Sequence, residues 1–244
     1  MLQSLRERLP GEDFLYFADT RYLPYGDRPE SFLRERSLHI AQGLAARGAK
    51  ALVIACNTAT AAAVEVIRDT LHLPVVAVEP AVKPAAAASR SGEIAVLATR
   101  RTVESARLQR LIATHAPQQR VHAIACPGLA EAIEAHGPES AAVGAILDEV
   151  LAPLAGTQVD VVALGCTHYP WAAKAIARRL PAGVQLMDTG SAVARQLDRL
   201  LRAGNALGGG SGRLVLASSA APMQVRATLD RLWPVHQPVE HWEP

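Results

Sequence analysis

The feature that most constrains the fold is an apolar run that passes directly into a cysteine and a helix-like segment. Residues 51–62 read Ala-Leu-Val-Ile-Ala-Cys-Asn-Thr-Ala-Thr-Ala-Ala. A short apolar run followed by helical spacing is typical of a buried parallel strand that leads into a helix. The pattern therefore places Cys56 at the carboxyl end of a strand, where ligands bind in open α/β sheets. We predict that Asn57 or Thr58 caps the helix, whose N-terminus lowers the pKa of a neighbouring thiol.

A second segment repeats this pattern. Residues 161–171 read Val-Val-Ala-Leu-Gly-Cys-Thr-His-Tyr-Pro-Trp, and Cys166 lies 110 residues after Cys56, about the length of one small domain. Thr167 is predicted to cap a helix, and Pro170 suits its first turn. The simplest interpretation is a two-domain chain with one thiol per domain. The alternative is that both cysteines are ordinary buried residues, which is common for this residue type.

Further apolar runs at 14–18, 75–78, 94–98, 121–125, 184–187 and 213–217 alternate with segments of helical spacing. This alternation predicts an α/β fold of two similar doubly wound, mainly parallel-sheet domains that face each other across a cleft. The first domain is expected to comprise residues 1–80 plus 191–244, and the second residues 81–190. The glycine-rich residues 204–212 are expected to form a flexible connector. The tail from Pro234 is expected to be a short edge strand or a loop.

Composition and charge exclude several classes of protein. The 244 residues carry a net charge of +2, from 25 basic and 23 acidic residues, with no basic block interleaved with aromatics, so nucleic acid is not an expected partner. Three cysteines do not make a disulfide framework, which favours a reduced cytoplasmic setting. Because no apolar run approaches the roughly 18 residues of a membrane span, no membrane association is expected. The sequence leaves the oligomeric state open, with a homodimer as one option.

Two thiols at strand ends suggest three chemistries. Metal binding is disfavoured because there is no C-x-x-C motif, and redox exchange lacks the same short spacing. The third is proton transfer at carbon, in which one thiolate removes a Cα proton and the other thiol returns one to the opposite face. Helix-start N–H groups after each cysteine, with the hydroxyls of Thr58, Thr60 and Thr167, would hold a substrate carboxylate. Cys126, which follows an apolar strand and precedes a proline, is interpreted as a core thiol.

Several motifs together resemble those of glutamate racemases over nearly the whole chain. They are Pro-Tyr-Gly at 24–26, Cys-Asn-Thr-Ala-Thr at 56–60, Glu-Pro-Ala-Val-Lys-Pro at 79–84 and Gly-Cys-Thr-His-Tyr-Pro at 165–170. The resemblance implies a cofactor-independent interconversion of L- and D-glutamate that supplies D-glutamate for peptidoglycan. It also implies that Cys56 acts on the D-enantiomer and Cys166 on the L-enantiomer, that His168 tunes Cys166, and that Glu134 lies near the second thiol. The expected substrate-binding residues are Pro24, Tyr25, Gly26, Asn57, Thr58, Thr60, Thr99 and Thr167.

One departure from the family pattern affects the start of the chain. Glutamate racemases begin with a strand that ends in Asp-Ser-Gly-x-Gly-Gly, and nothing similar occurs here. The first domain is therefore expected to lack a strand from the middle of its sheet, which would leave backbone groups unpaired. Two other functions stay open: a racemase for aspartate or another acidic amino acid, and a non-catalytic binding protein. Aspartate racemases typically carry Glu after Gly-Cys-Thr, where this chain has His168.

Overall fold

A computed structural model describes residues 1–233 and 236–244, and its helices and strands alternate as the sequence predicts. Every strand pair within those residues is parallel. The prediction of an α/β fold with mainly parallel sheets is therefore confirmed. Pro234 and Val235, the first residues of the predicted tail, lie outside the described residues.

The strands are short and have three to six residues each. They are β1 (Phe14–Ala18), β2 (Leu52–Ile54), β3 (Val75–Ala77), β4 (Glu93–Ala98), β5 (Arg120–Ala125), β6 (Val161–Leu164), β7 (Gln185–Met187), β8 (Leu214–Ser218) and β9 (Val239–His241).

The α-helices occupy the connections between the strands. They are α1 (Leu2–Arg8), α2 (Glu30–Ala46), α3 (Asn57–Thr70), α4 (Val82–Ala88), α5 (Arg100–Glu104), α6 (Ala106–His115), α7 (Leu129–His136), α8 (Ala141–Leu151), α9 (Ala173–Ala177), α10 (Gly190–Ala203) and α11 (Pro222–Leu232). None of the helices in the described part of the chain combines the length and the apolar character that a membrane crossing requires.

The described residues divide into two compact units. One comprises Met1–Val78 with Gly190–Pro244, and the other comprises Glu79–Thr189. The second unit has one sheet in the order β5-β4-β6-β7. Its central strands β4 and β6 are buried, as the near-continuous apolar runs at 94–98 and 161–164 predict for strands covered on both faces.

The first unit differs from the second in its sheet. Its strands form two separate hydrogen-bonded sets in the described residues, β1-β8-β9 and β2-β3. β1 and β2 follow one another along the chain through α2, yet they are not hydrogen-bonded neighbours. Within the described residues, one unit therefore has a continuous sheet and the other an interrupted one, in line with the expectation that the first domain lacks a strand from the middle of its sheet.

A buried carboxylate links α1 to α10 in the first unit. Asp198 on α10 is buried, and its Oδ2 lies 2.6 Å from Nη2 of Arg8 on α1. Its other oxygen accepts a bond of 2.7 Å from Nε of Arg202. The hydrogen bond from Arg8 is the main reason that the pKa of Asp198 is lowered. Apolar residues of α1 and α10 form one buried cluster, which includes Leu5, Val193, Leu197 and Leu201 and the C-cap residue Leu9.

Two carboxylates hold the glycine-rich segment in place. The N–H of Gly208 donates to Glu12 at 2.6 Å, and the N–H groups of Ser211 and Arg213 donate to Asp13 at 3.1 and 2.8 Å. The segment is expected from its sequence to be a flexible connector, but these carboxylates tie its backbone to the residues just before β1.

Candidate active site

Cys56 follows β2 and is itself the N-cap of α3. Its backbone is extended, and its Sγ accepts a hydrogen bond of 3.4 Å from the N–H of Ala59. The prediction that Asn57 or Thr58 caps this helix is wrong, because the first helical hydrogen bond runs from Thr60 N to the carbonyl of Cys56. The thiol therefore lies at the positive end of the helix dipole, a position that favours a thiolate.

The polar residues after Cys56 are buried in the first turn of α3. Asn57, Thr58 and Thr60 are 5%, 4% and 1% exposed. Asn57 Oδ1 and Thr60 Oγ1 have no hydrogen-bond partner among the described residues. Buried polar atoms normally have a partner, because leaving one unsatisfied costs about 1–3 kcal/mol. These two atoms therefore offer acceptor and hydroxyl groups next to the thiol.

Tyr25 brings a phenol to the Cys56 side of the site. It follows Pro24 and shares the 3-10 turn Tyr25–Asp27 with Gly26. Its hydroxyl donates to Asp19 Oδ2 at 2.5 Å. Burial, the bond to Asp19 and then the charges of Asp19 and Cys56 raise the pKa of Tyr25, so the phenol is neutral at physiological pH. The turn Tyr25–Asp27 packs against α3, so the phenol belongs to an element in contact with the helix that Cys56 caps.

Sequence reasoning missed Asp19 and Arg36 as members of this group. Arg36 on α2 donates from Nε to Asp19 Oδ2 at 3.0 Å and from Nη2 to Asp19 Oδ1 at 2.7 Å. Both side chains are at least nine-tenths buried. The signal for Asp19 was an acidic residue directly after β1, at the strand end where ligands bind in open α/β sheets.

In the second unit, three of the predicted residues lie in one hydrogen-bonded line. Cys166 Sγ lies 3.7 Å from His168 Nδ1, and His168 Nε2 lies 2.7 Å from Oε1 of Glu134 on α7. Cys166 is 9% exposed, and the side chains of His168 and Glu134 are 27% and 29% exposed. The structure therefore joins a buried thiol to a partly exposed carboxylate through one imidazole.

The partners of His168 decide its charge. Burial lowers the pKa of His168, but the hydrogen bonds to Cys166 and Glu134 and the charges of both outweigh this effect and raise the pKa to about 10. The imidazole is therefore protonated at neutral pH and presents a positive Nδ1–H to the sulfur. A cation beside a thiol favours the thiolate form.

The chain after Cys166 differs from the chain after Cys56. A 3-10 turn, Tyr169–Ala172, leads into the five-residue α9, and the residue before that turn is His168, which makes no side-chain cap. The prediction that Thr167 caps a helix is therefore wrong, although Pro170 does lie in the first turn as predicted. Because no cap uses the imidazole of His168, it is available to both Cys166 and Glu134.

Gly165 sets the position of Cys166. Its N–H donates to the carbonyl of Leu97 at 2.7 Å. A Cβ at residue 165 would lie 2.9 Å from that same carbonyl oxygen and 3.0 Å from Cβ of Ala98. Only glycine fits this close approach of two backbones, which holds Cys166 beside the end of β4.

Thr99 and Cys126 both have contacts within the second unit. Thr99 is the N-cap of α5, with Oγ1 accepting from the N–H of Thr102 at 3.4 Å. Cys126 is 2% exposed, and burial raises the pKa of its thiol to about 12. Cys126 is thus a core thiol, as interpreted from sequence. Among residues 1–233 and 236–244, no three His, Cys, Asp or Glu side chains form a group that could hold a metal ion.

Comparisons with known proteins agree with this fold and these motifs. The family model described as Asp/Glu/Hydantoin racemase matches residues 22–197. A glutamate racemase from Pseudomonas paraeruginosa is 44% identical over 235 residues, which cover 96% of this chain and 89% of that relative. The chain therefore belongs to the Asp/Glu/hydantoin racemase family. Within that family, the resemblance to glutamate racemases is confirmed.

Two solved structures extend the comparison. Glutamate racemase from Escherichia coli, solved with L-glutamate and the activator UDP-MurNAc-ala, is 29% identical with a TM-score of 0.86, covering 98% of this chain and 92% of that one. The enzyme from Francisella tularensis, solved with D-glutamate, is 25% identical with a TM-score of 0.87, covering 99% of this chain and 92% of that one. The two-domain α/β architecture is thus shared with known racemases.

Proposed function

We propose that this protein is a glutamate racemase, an isomerase that interconverts L- and D-glutamate by moving one proton at Cα without a cofactor. The observation that carries the proposal is the line Cys166–His168–Glu134, which accompanies a second thiol at a helix N-terminus. The 44% identity to a glutamate racemase and the titles of the two solved complexes support glutamate as the substrate. We assign the enzyme to the cytoplasm, where it supplies D-glutamate for peptidoglycan.

Inversion at Cα needs one group that removes a proton and another that returns a proton to the opposite face. We assign these roles to Cys56 and Cys166. A free cysteine titrates near about 8.5, so each thiol needs help to act near neutral pH. The help differs between the two: the N-terminus of α3 assists Cys56, and the imidazolium of His168 assists Cys166.

For the L-enantiomer, the Cys166 thiolate takes the Cα proton and the Cys56 thiol supplies a proton to the other face. For the D-enantiomer, the two roles are exchanged. The carboxylate of Glu134 lies 2.7 Å from His168 Nε2 and favours the imidazolium form of His168 beside the reacting sulfur.

The negative charge that develops on the substrate needs donors. We infer that the α-carboxylate lies near the first turn of α3, where the helix dipole and backbone N–H groups favour an anion. The buried Asn57 Oδ1 accepts hydrogen bonds, which suits a substrate ammonium group, and the Thr60 hydroxyl adds a directed polar contact. Pro24, Tyr25, Gly26, Thr58, Thr99 and Thr167 complete the proposed substrate-binding set.

The second candidate is a racemase for aspartate or another acidic amino acid, since the family model covers those substrates. His168 after Gly-Cys-Thr favours glutamate. Circular dichroism of pure L-glutamate and D-glutamate tests the proposal. We expect each signal to decay to zero without added pyridoxal phosphate, and the signal of aspartate to persist over the same period. A requirement for pyridoxal phosphate, or equal turnover of aspartate, would refute the assignment.

A further inference from the structure

Arg36 on α2 is a nearly buried cation with several polar and aromatic partners outside its own helix. Its side chain is 10% exposed, and its two donor atoms bind both oxygens of Asp19, which is 7% exposed. A planar guanidinium that binds a carboxylate through two parallel bonds fixes both position and orientation. A single buried ion pair of this kind is costly to separate, because either partner alone would be an uncompensated buried charge.

Asp19 connects Arg36 to Tyr25. Its Oδ2, which accepts from Arg36 Nε, also accepts the hydroxyl of Tyr25 at 2.5 Å. The turn Tyr25–Asp27 packs against α3, the helix that Cys56 caps. Two contacts therefore connect Arg36 to the phenol of Tyr25.

The C-terminal segment anchors the other side of Arg36. Nη2 of Arg36 lies 3.3 Å from Glu243 Oε1, and its guanidinium carbon lies 4.3 Å from the centre of the Tyr22 ring. The hydroxyl of Tyr22 donates in turn to Glu243 at 3.1 Å. Arg36 is thus held on three sides, by a carboxylate, an aromatic face and a second carboxylate.

We propose that Arg36 is a positioning residue for the Cys56 side of the site, which acts by holding Asp19 so that Asp19 keeps the Tyr25 phenol beside the thiol. The expected effect of Arg36 on racemisation rests on the proposed function. The expected effect of Arg36 on the ionisation of the Cys56 thiol does not. The charged and titratable groups in this set are Cys56, Tyr25, Asp19, Arg36, Tyr22, Glu243 and Arg21, whose Nη1 lies 3.6 Å from Glu243 Oε2.

The charge of Arg36 balances that of Asp19. If Arg36 is replaced by a neutral residue, the carboxylate of Asp19 is left buried without a cation. A nearby uncompensated anion disfavours the charged form of a thiol, so the Cys56 thiolate becomes harder to form. The thiolate is the form that reacts with alkylating agents, so the alkylation rate of Cys56 reports this change directly.

Arg47 provides a matched control. It directly follows α2, forms an ion pair with Glu240 of the C-terminal segment, and lies 4.7 Å over the ring of Trp242. Arg47 therefore shares with Arg36 an acidic partner and an aromatic partner, but it has no contact with Asp19 among the described residues. A general loosening of the C-terminal segment would affect the Arg47→Gln variant as much as Arg36→Gln.

The experiment measures alkylation of the full chain by iodoacetamide as a function of pH, with each cysteine-containing peptide quantified by mass spectrometry. For Arg36→Gln we expect the midpoint of the Cys56 profile to rise by about one pH unit, which slows alkylation about tenfold below the midpoint. The rate on the high-pH plateau should stay within about twofold of the parent, because access to the thiol is unchanged. Cys166 in the same sample serves as an internal reference and should not shift.

Arg36→Lys separates charge from geometry. Lysine keeps the positive charge but loses the two parallel bonds, so we expect a smaller shift in the same direction. The proposal is overturned if Arg36→Gln leaves the Cys56 profile unchanged, if Cys166 shifts equally, or if Arg47→Gln has the same effect. If thermal melting shows that Arg36→Gln does not fold, Arg36→Lys decides, and an unshifted Cys56 profile refutes the proposal. Alkylation needs no substrate. If the parent protein failed to racemise glutamate, the proposed function would be refuted, but the alkylation profiles would still test the role of Arg36.

Discussion

His168 Nε2 lies 2.7 Å from Glu134 Oε1, and this bond favours the charged form of the imidazole, whose other nitrogen faces Cys166. The pKa of His168 is raised to about 10 by both partners against the effect of burial. A histidine whose pKa is raised on folding stabilises the folded state at pH values below its unfolded pKa of about 6.5. That contribution is lost as the pH rises through the folded pKa of about 10.

The first prediction concerns this bond. Glu134→Gln removes the carboxylate, and we expect the pKa of His168, measured by NMR titration, to fall by at least about one unit. The variant should be less stable than the parent at pH 7, and the difference in free energy of unfolding should shrink as the pH approaches 10. Glu131→Gln, on the same helix without a contact to His168 among the described residues, is the control. An unchanged His168 pKa in Glu134→Gln would show that the bond does not control the imidazole.

The second prediction tests the close approach at Gly165. Gly165→Ala adds a Cβ 2.9 Å from the carbonyl oxygen of Leu97, so β6 or β4 has to shift. We expect a loss of about 1–3 kcal/mol in free energy of unfolding, measured by urea denaturation, together with slower racemisation. Gly209→Ala is the control, because a Cβ there meets nothing within 4 Å. Equal stability of the two variants would mean that the close approach of residue 165 to the Leu97 carbonyl tolerates a Cβ.

The third prediction concerns the buried carboxylate of Asp198. Its pKa is lowered chiefly by the bond from Arg8, so its contribution to stability is present above the ordinary pKa of 3.8 and is lost as the pH falls through the lowered value. Asp198→Asn should therefore lower the melting temperature at pH 7 and have a smaller effect in acid. Glu30→Gln, which removes an exposed ion pair with Arg34, should change the melting temperature little at either pH. A pH-independent loss in Asp198→Asn would contradict the ionic explanation.

Much of the fold was predictable because apolar runs and helical spacing are local signals. The apolar runs at 14–18 and 94–98 lie in β1 and β4, as the sequence predicted. The cap at Cys56 was misassigned by one residue, because a cysteine is rarely considered as an N-cap. The helix expected directly after Cys166 begins only at Ala173, because a 3-10 turn comes first. Pro170 suits the first turn of either kind of helix, so it did not distinguish the two.

The site was less predictable than the fold. The pairing of Asp19 with Arg36 joins a strand end to a helix 17 residues later, and the contact of Arg36 with Glu243 spans 207 residues. Such contacts depend on tertiary packing and leave no local pattern. The placement of Glu134 near the second thiol came from the resemblance to glutamate racemases, because its position on α7 alone is equally typical of a solvent-facing residue.

The fourth prediction concerns the two thiols together. Cys56→Ala and Cys166→Ala should each abolish racemisation of glutamate, because inversion needs both a base and an acid. Cys126→Ala is the matched control, since its thiol is buried in the core and its raised pKa of about 12 keeps it protonated. We expect Cys126→Ala to racemise glutamate at close to the parental rate, measured by circular dichroism.

The most direct test of the two-thiol account uses a glutamate analogue with a leaving group on the β-carbon. Removal of the Cα proton alone then expels the leaving group, so each remaining thiol can be assayed separately. Cys166→Ala should process only the D-analogue, and Cys56→Ala only the L-analogue, with product release followed for each enantiomer. If either variant processed both enantiomers, or still racemised glutamate at close to the parental rate, the assignment of one thiol to each enantiomer would be wrong.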